Sequence, residues 1–415
     1  KADVIWRDGD VPVSRHFDWA DATRGDLMRE VALWAAVDLD VDALAFIPDV
    51  PPAHRNDQLL EWWARLALAN GDWSTVDEAI SSMSEEAASD DRWRYWKARS
   101  ALNTGQLAAG NALLEALSAS TNYFGFLAAD ALDAPYTICP AEPPVTEAEI
   151  EALVISPRFQ RALELHRVDL DSWARAEWAR AAASLPTEQL KVAAGLARRE
   201  GWYDRVIFAL GDSGELSFYE WRFPIVFTDL ITQAAGDYDL DAAYLLGIMR
   251  SESAMMETAR SPAGALGLMQ VTPATARTLA RKHGLAYQSS SELLQGANNI
   301  DFGAIYLRDL LNDYDQNPVL VSGAYNAGPN AVARWLGTRK LDEAAQWIET
   351  LPYYETRDYI PRVLAFTTLY DWRLQKPVRR ISSRMPGIES GTIANDSTVE
   401  IVCRAFPDDA SRTGP

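Results

Sequence analysis

Residues 244–276 read YLLGIMRSESAMMETARSPAGALGLMQVTPATA, an apolar segment that runs into a carboxylate and then into a glycine-rich turn. Ala243, Leu246, Ile248 and Met249 fall at helical spacing behind the capping residues Asp239 and Asp241, which predicts a helix reaching Glu252. The last turn of a helix exposes unsatisfied carbonyl groups and carries partial negative charge, so an ionised Glu252 is disfavoured there and its pKa is expected to rise. The chain then turns through Ser261-Pro262, Gly264 and Gly267, where missing Cβ atoms let backbone approach a ligand, and re-enters a helix at Thr272-Pro273. A carboxyl group reluctant to ionise beside such a turn suits a general acid working near neutral pH. Taken alone, the same pattern also fits a partly exposed glutamate at a helix end.

Upstream, the sequence is helical in pattern from about residue 22 to 212, rich in Ala, Leu, Trp, Glu and Arg. Helix pairs recur about short glycine turns at Asn70-Gly71-Asp72, Thr104-Gly105-Gln106 and Glu200-Gly201-Trp202. The step from Gly71 to Gly105 has the period of helix-hairpin repeats, whereas the step to Gly201 is not a multiple of it, so the reading is an irregular α-superhelix. Trp62, Trp63, Trp93, Trp96, Trp173 and Trp178 are read as hairpin core rather than as a sugar-stacking row. Pro135 to Pro144 reads as a loop connecting helices. The division that follows is an irregular start over 1–21, the superhelix over 22–212, a linker over 213–223, a second all-α region over 224–375 and a tail over 376–415. Within the second region, helices are expected at Pro273 to His283, Gln295 to Tyr314, Pro318 to Tyr325, Asn330 to Leu336, Leu341 to Glu349 and Glu355 to Leu374. In the tail, Val399 to Cys403 reads as a short strand and Arg379-Arg380 as a solvated charge pair.

Composition narrows the function classes. The 415 residues carry a formal net charge of −20, which disfavours nucleic acid and anionic lipid as partners. No apolar run is long enough to cross a bilayer. The first residue is Lys1 and no signal peptide is visible, which reads as a trimmed or internal start. His16, His54, His166 and His283 are scattered without ligand spacing, so neither a metal nor another cofactor is expected.

Four ordered motifs change the weight of Glu252. Glu252-Ser253, Gly267-Leu268-Met269-Gln270, Ala324-Tyr325-Asn326-Ala327-Gly328-Pro329 and Glu355-Thr356-Arg357 with Tyr359 resemble the motifs of the soluble lytic transglycosylases. The segments DDRWRYWKAR from Asp90 and NYFGFLAADAL from Asn122 resemble the superhelical region of that family. In that family the superhelix is longer and closes into a ring; here only the part nearest the second region is recognisable. The resemblance implies a lysozyme-like catalytic domain, export to the periplasm and action on peptidoglycan glycan strands. It implies cleavage between N-acetylmuramic acid and N-acetylglucosamine by one acid/base, with closure to a 1,6-anhydro product. By motif position it implies Glu252 as the catalytic group, with Ser261, Gln270, Tyr325, Asn326, Glu355 and Tyr359 about the sugar. Gln270 and Asn326 suit that work because an amide donates and accepts at once.

The residues leave alternatives open. Glu355 fits a second catalytic carboxylate, a substrate-binding group or a partner of Arg357 or Arg362, and its spacing to Arg357 is wrong for an intrahelical pair. A muramidase hydrolysing the same bond, and a non-catalytic helical scaffold, are the competing functions. After Glu252 the chain has Ala254-Met255-Met256 where the family often has an aromatic residue and an Asn-Pro turn. Cys139 and Cys403 are the only cysteines, and the periplasm implied by the resemblance permits a disulfide between them, with two free thiols as the alternative. The resemblance leans towards a monomer.

Overall fold

A computed structural model describes residues 21–393 and 396–403 of the chain, so the irregular start expected before Asp21 lies outside the described residues. The fold is all-α. Its helices of six residues or more are α1 (Asp21–Val37), α2 (Asp57–Ala69), α3 (Trp73–Ser81), α4 (Asp91–Asn103), α5 (Leu107–Leu117), α6 (Tyr123–Ala131), α7 (Glu147–Val154), α8 (Pro157–Arg167), α9 (Asp171–Ala182), α10 (Leu190–Arg199) and α11 (Tyr203–Asp212). They continue with α12 (Thr228–Asp237), α13 (Ala242–Ser253), α14 (Pro273–His283), α15 (Gly296–Asp313), α16 (Pro318–Ala327), α17 (Pro329–Thr338), α18 (Ala344–Glu349) and α19 (Tyr354–Arg373). The strand expected near 399–403 is reduced to Ile401–Val402.

Two compact units emerge, and neither is continuous in sequence. The first comprises the described residues of Lys1–Thr137, Asn317–Pro361 and Arg380–Val399; the second comprises those of Ile138–Gln316, Arg362–Arg379 and Glu400–Pro415. This partition does not follow the five sequence segments: it divides 22–212 after Thr137 and 224–375 after Gln316 and Pro361.

In the first unit, α2 pairs with α3 and α4 with α5 as helix hairpins. Each turns at a glycine, Gly71 at φ +68 and Gly105 at φ +83, and a Cβ added at either would meet nothing within 4 Å. Left-handed backbone is therefore what demands glycine there, since space is ample. Trp62, Trp63, Trp93 and Trp96 are buried as expected. Trp62, Trp93 and Trp96 border an ion cluster that links distant parts of the unit. The Glu349 side chain accepts from Arg65 Nε at 3.0 Å, Arg92 Nη1 at 3.4 Å and Trp96 Nε1 at 3.2 Å. Arg65 also lies 4.8 Å from the Trp93 ring centroid and Arg357 lies 5.1 Å from that of Trp62. Burial by itself would raise the Glu349 carboxyl, but Arg92, Arg65 and Arg357 outweigh it and hold the group below its ordinary range. The tail is tied down in the same unit: Arg380, read from sequence as solvated, is buried and donates to Asp130 Oδ1 at 3.0 Å and Asp133 Oδ1 at 2.7 Å.

The second unit repeats the hairpin pattern with α8/α9 and α10/α11. Trp178 is buried with Ala174 and Ala181 on one stripe of α9, whereas Trp173 is 69% exposed. That corrects the reading of Trp173 as core: the i, i+4, i+7 stripe starts at Ala174, and Trp173 sits off it. Cys139 and Cys403 are joined by a disulfide with Cα atoms 4.6 Å apart, and the adjacent Ile138 N–H donates to the Val402 carbonyl at 3.0 Å. Helix α13 starts where Asp241 caps the Ala243 N–H at 3.0 Å. Midway along it, a Cβ on Gly247 would stand 2.7 Å from Thr367 Oγ1, so the missing side chain permits close approach to α19. Arg250, one turn later, is buried near the Phe223 and Phe366 rings and donates from Nε to the Arg222 carbonyl at 2.9 Å. Burial pushes its guanidinium down to about 10.

Candidate active site

Glu252 is the penultimate residue of α13 and is half-buried. Ala254 ends the helix in the left-handed conformation (φ 51°), donating its N–H to the Arg250 carbonyl at 3.3 Å, and Met255 follows at φ 67°. Two consecutive non-glycine residues in that region carry strain, which neighbouring structure must hold in place. Both side chains are buried. The segment beyond folds into successive turns, with the Met256 N–H donating to the Ser253 carbonyl at 3.0 Å and the Ala259 N–H to the Met256 carbonyl at 3.2 Å.

Ser261 opens the next turn. Its hydroxyl oxygen accepts from the Ala265 N–H at 3.0 Å, so at least part of its work is closing the loop. Leu266 and Val271 then exchange both backbone hydrogen bonds, at 3.1 and 3.0 Å, enclosing Gly267 to Gln270 as a tight turn. Gly267 has φ +77, and a Cβ there would lie 2.2 Å from the Leu293 carbonyl oxygen and 2.3 Å from Asn299 Nδ2. Here glycine is required for both conformation and room. Gln270 sits at φ 51° and donates from Nε2 to the Gly267 carbonyl at 2.8 Å, which fixes the direction of its amide. The whole turn runs into α14, whose start is capped by Thr272 Oγ1 accepting from the Thr275 N–H at 3.1 Å.

Tyr325 and Asn326 occupy the C-terminal turn of α16 in the first unit. Gly328 (φ +85) stops that helix and Pro329 starts α17, so the Gly-Pro pair sets where the Asn326 side chain stands. Asn326 Nδ2 donates to Glu355 Oε1 at 3.2 Å and Asn326 Oδ1 accepts from Thr356 Oγ1 at 2.6 Å. Glu355 is exposed in the first turn of α19, where the helix dipole favours a carboxylate. It does not serve as the partner of Arg357, whose guanidinium feels Glu349 and donates from Nη1 to the Leu351 carbonyl at 2.6 Å. Tyr359 is 2% exposed, so little of its ring is open to a ligand.

Of the sequence-predicted residues, Glu252, Ser261 and Gln270 belong to the second unit, and Tyr325, Asn326, Glu355 and Tyr359 to the first. Asn326 and Glu355 are brought into direct contact. Sequence reasoning missed Asn299 and Thr356. Asn299 is fully buried on α15: its Oδ1 accepts from the Met269 N–H at 2.7 Å, and its Nδ2 donates to the Leu266 and Leu293 carbonyls, both at 2.8 Å. The signal was present, because Asn299 falls on the apolar stripe of that helix with Gly296, Ile300 and Gly303, where an amide needs partners.

Comparison with known proteins gives a consistent result. A family model described as the transglycosylase SLT domain matches residues 229–348, and one described as the soluble lytic murein transglycosylase L domain matches residues 153–215. The soluble lytic murein transglycosylase of Salmonella typhimurium is 32% identical over 348 residues, which is 83% of this chain and 54% of that protein. The protein of the same name in Escherichia coli strain K12 is 30% identical, with the same coverage of each chain. The chain thus spans about half the length of the curated relatives it matches. Among solved structures, an inactive glutamate-to-glutamine mutant of the lytic transglycosylase from Pseudomonas aeruginosa superposes with a TM-score of 0.84 at 31% identity, covering 89% of this chain and 60% of that one. The 70 kDa soluble lytic transglycosylase of Escherichia coli gives a TM-score of 0.81 at 27% identity, covering 95% and 64%.

Proposed function

Because the chain belongs to the soluble lytic transglycosylase family, we propose that it cleaves the β-1,4 bond between N-acetylmuramic acid and N-acetylglucosamine in peptidoglycan, with Glu252 as the single acid/base. The observation that carries this reading is the placement of Glu252: a half-buried carboxyl at a helix C-terminus, followed at once by a strained, internally bonded loop that ends in Gln270. The inactive glutamate-to-glutamine mutant among the structural relatives is consistent with one essential carboxyl.

In the proposed reaction the Glu252 carboxyl donates its proton to the glycosidic oxygen as the C1–O bond breaks, and the N-acetylglucosamine hydroxyl departs. The resulting carboxylate then takes the proton of the muramyl C6 hydroxyl while O6 bonds to C1. Atoms balance without water, and the acid is regenerated. Glycoside hydrolysis normally requires two carboxylates. An internal nucleophile removes the need for a second one to activate water and gains an effective-molarity advantage on the order of 7–11 kcal/mol. Ser261, Gln270, Tyr325, Asn326 and Glu355 are proposed as glycan-binding groups; Tyr359, 2% exposed, is left out of that set. Export to the periplasm, where peptidoglycan lies, and action as a monomer belong to the same reading; the disulfide between Cys139 and Cys403 suits an oxidising compartment.

The test is mass spectrometry of muropeptides released from purified peptidoglycan by the wild type and by Glu252→Gln. Products lighter than the hydrolysis product by one water, absent from the variant, are expected. Reducing ends would make the protein a muramidase and turn attention to Glu355, and no product from the wild type would favour a binding scaffold.

A further inference from the structure

We propose that helix α9 of the upstream helical region is part of the catalytic apparatus: Asp171 and Arg175 act as positioning residues that hold the loop after the acid through the hydroxyl of Thr258. The inference rests on Glu252 being the acid. Thr258 follows Glu252 by six residues, on the loop that leaves α13 through the strained pair Ala254 and Met255. Such a path needs external fixing, and here it lacks the rigid Asn-Pro turn frequent in the family.

The Thr258 hydroxyl is used in both directions. Its Oγ1 donates to Asp171 Oδ2 at 2.9 Å and accepts from Arg175 Nη1 at 3.0 Å. Both partners are ionic, and hydrogen bonds to charged groups are roughly twice as strong as neutral ones. Asp171 and Arg175 stand one turn apart on α9, 3.7 Å from each other, so the hydroxyl closes a three-membered clamp. The clamp is anchored inward. Arg175 Nε donates to Asp204 Oδ2 at 3.3 Å, and buried Asp204 also accepts from Arg205 Nε at 3.1 Å. His166 Nδ1 lies 3.5 Å from Asp171 Oδ1, and its ring stacks on the buried Trp202 with centroids 4.1 Å apart.

The residue before Thr258 is fixed as well, since Glu257 Oε1 accepts from the Gly296 N–H at the start of α15 at 2.5 Å. Two consecutive residues of the loop are thus tied to two different helices, and both ties are specified by side-chain chemistry. A catalytic group displaced by about 1 Å loses on the order of 100-fold in rate, so a clamp of this kind acts on turnover.

The experiment compares Thr258→Val, which keeps the shape and removes the hydroxyl, with Thr258→Ser, which keeps the hydroxyl. Turnover of purified peptidoglycan is measured together with KM and melting temperature, with Glu252→Gln run alongside. Thr258→Val is expected to lower kcat about 10- to 100-fold with KM unchanged, and Thr258→Ser to turn over like the wild type. Arg175→Ala is expected to match Thr258→Val, and the double variant to fall no further than either single one. Wild-type kcat in Thr258→Val with Glu252→Gln inactive overturns the positioning role and leaves the acid standing. Equal losses in Val and Ser, tracking melting temperature alone, overturn it too. Turnover by Glu252→Gln removes the acid and this inference together.

Discussion

Replacing Glu349 by Gln tests whether the buried ion cluster of the first unit is a structural keystone. The substitution preserves volume and still offers a carbonyl oxygen to Trp96 Nε1, which lies 3.2 Å from the carboxylate. What it removes is the negative charge facing Arg65 at 3.0 Å and Arg92 at 3.4 Å, and the countercharge felt by Arg357. Arg65 is 1% exposed and Glu349 2%, so water does not compensate. Removing one partner from such a buried pair costs about 3–5 kcal/mol, because the remaining cations stay desolvated. For a unit of this size each kcal/mol lowers the melting temperature by roughly 2–4 °C. A fall on the order of 10 °C is therefore expected by calorimetry at neutral pH.

The pH dependence supplies an internal check. The folded carboxyl lies below its ordinary value, so its contribution is complete above the unfolded pKa, about 4.3, and is lost as pH falls through the lower folded value. The gap between wild type and Glu349→Gln should accordingly close on acidification. A neutral-pH loss below about 1 kcal/mol, the general range of solvent-exposed ion pairs, or a gap that does not change with pH, would refute the assignment.

Gly267→Ala is expected to abolish turnover and lower stability, because its Cβ would press on the Leu293 carbonyl at 2.2 Å from a backbone at φ +77; a variant with normal melting and activity would contradict this. Asn299→Leu takes a partner from the Met269 N–H and from the Leu293 and Leu266 carbonyls, the last of which still accepts from the Val271 N–H, so about 1–3 kcal/mol is expected for each group left unpaired; faster hydrogen exchange at the Met269 amide is the readout. Cys139→Ser opens a cross-link spanning 264 residues of sequence separation and should cost about 2–5 kcal/mol. In the wild type a thiol reagent should label neither cysteine until the protein is reduced.

The sequence was most legible where an element is defined by its own residues. Helix α14 runs from Pro273 to His283 as expected, because Thr272-Pro273 caps its start and Gly284, at φ +69, ends it. Long-range partners were not legible. Helix α18 begins at Ala344 rather than Leu341, and Asp342, just before it, is engaged elsewhere, accepting from the Glu389 and Ser390 N–H groups at 2.8 Å. Arg380 read as solvated for the same reason, since its acids lie near residue 130. The units interleave because contacts such as Arg65 with Glu349, separated by 284 residues, join segments that no local pattern connects. At the candidate site the motif residues stand out in the sequence, whereas their hydrogen-bond supports are fainter: Asn299 shows only as an amide on the apolar stripe of α15, and Thr356 and Thr258 are ordinary polar residues until the fold supplies their partners.

That division has a physical reason in the loop after Glu252. A turn built on Asn-Pro carries its geometry in its own covalent structure, because proline fixes φ and restricts the residue before it. The segment Ala254-Met255-Met256 carries no such instruction, and two of its residues adopt a backbone that their side chains disfavour. The conformation must therefore be imposed from outside: by burial of Ala254 and Met255, by Glu257 on the first turn of α15, and by α9 on the Thr258 hydroxyl. A chain that moves the determinants of a catalytic loop from the turn itself to its neighbours makes that loop depend on helices distant in sequence. On the proposed function, the upstream helical region would then serve the geometry of the proposed acid through Asp171 and Arg175.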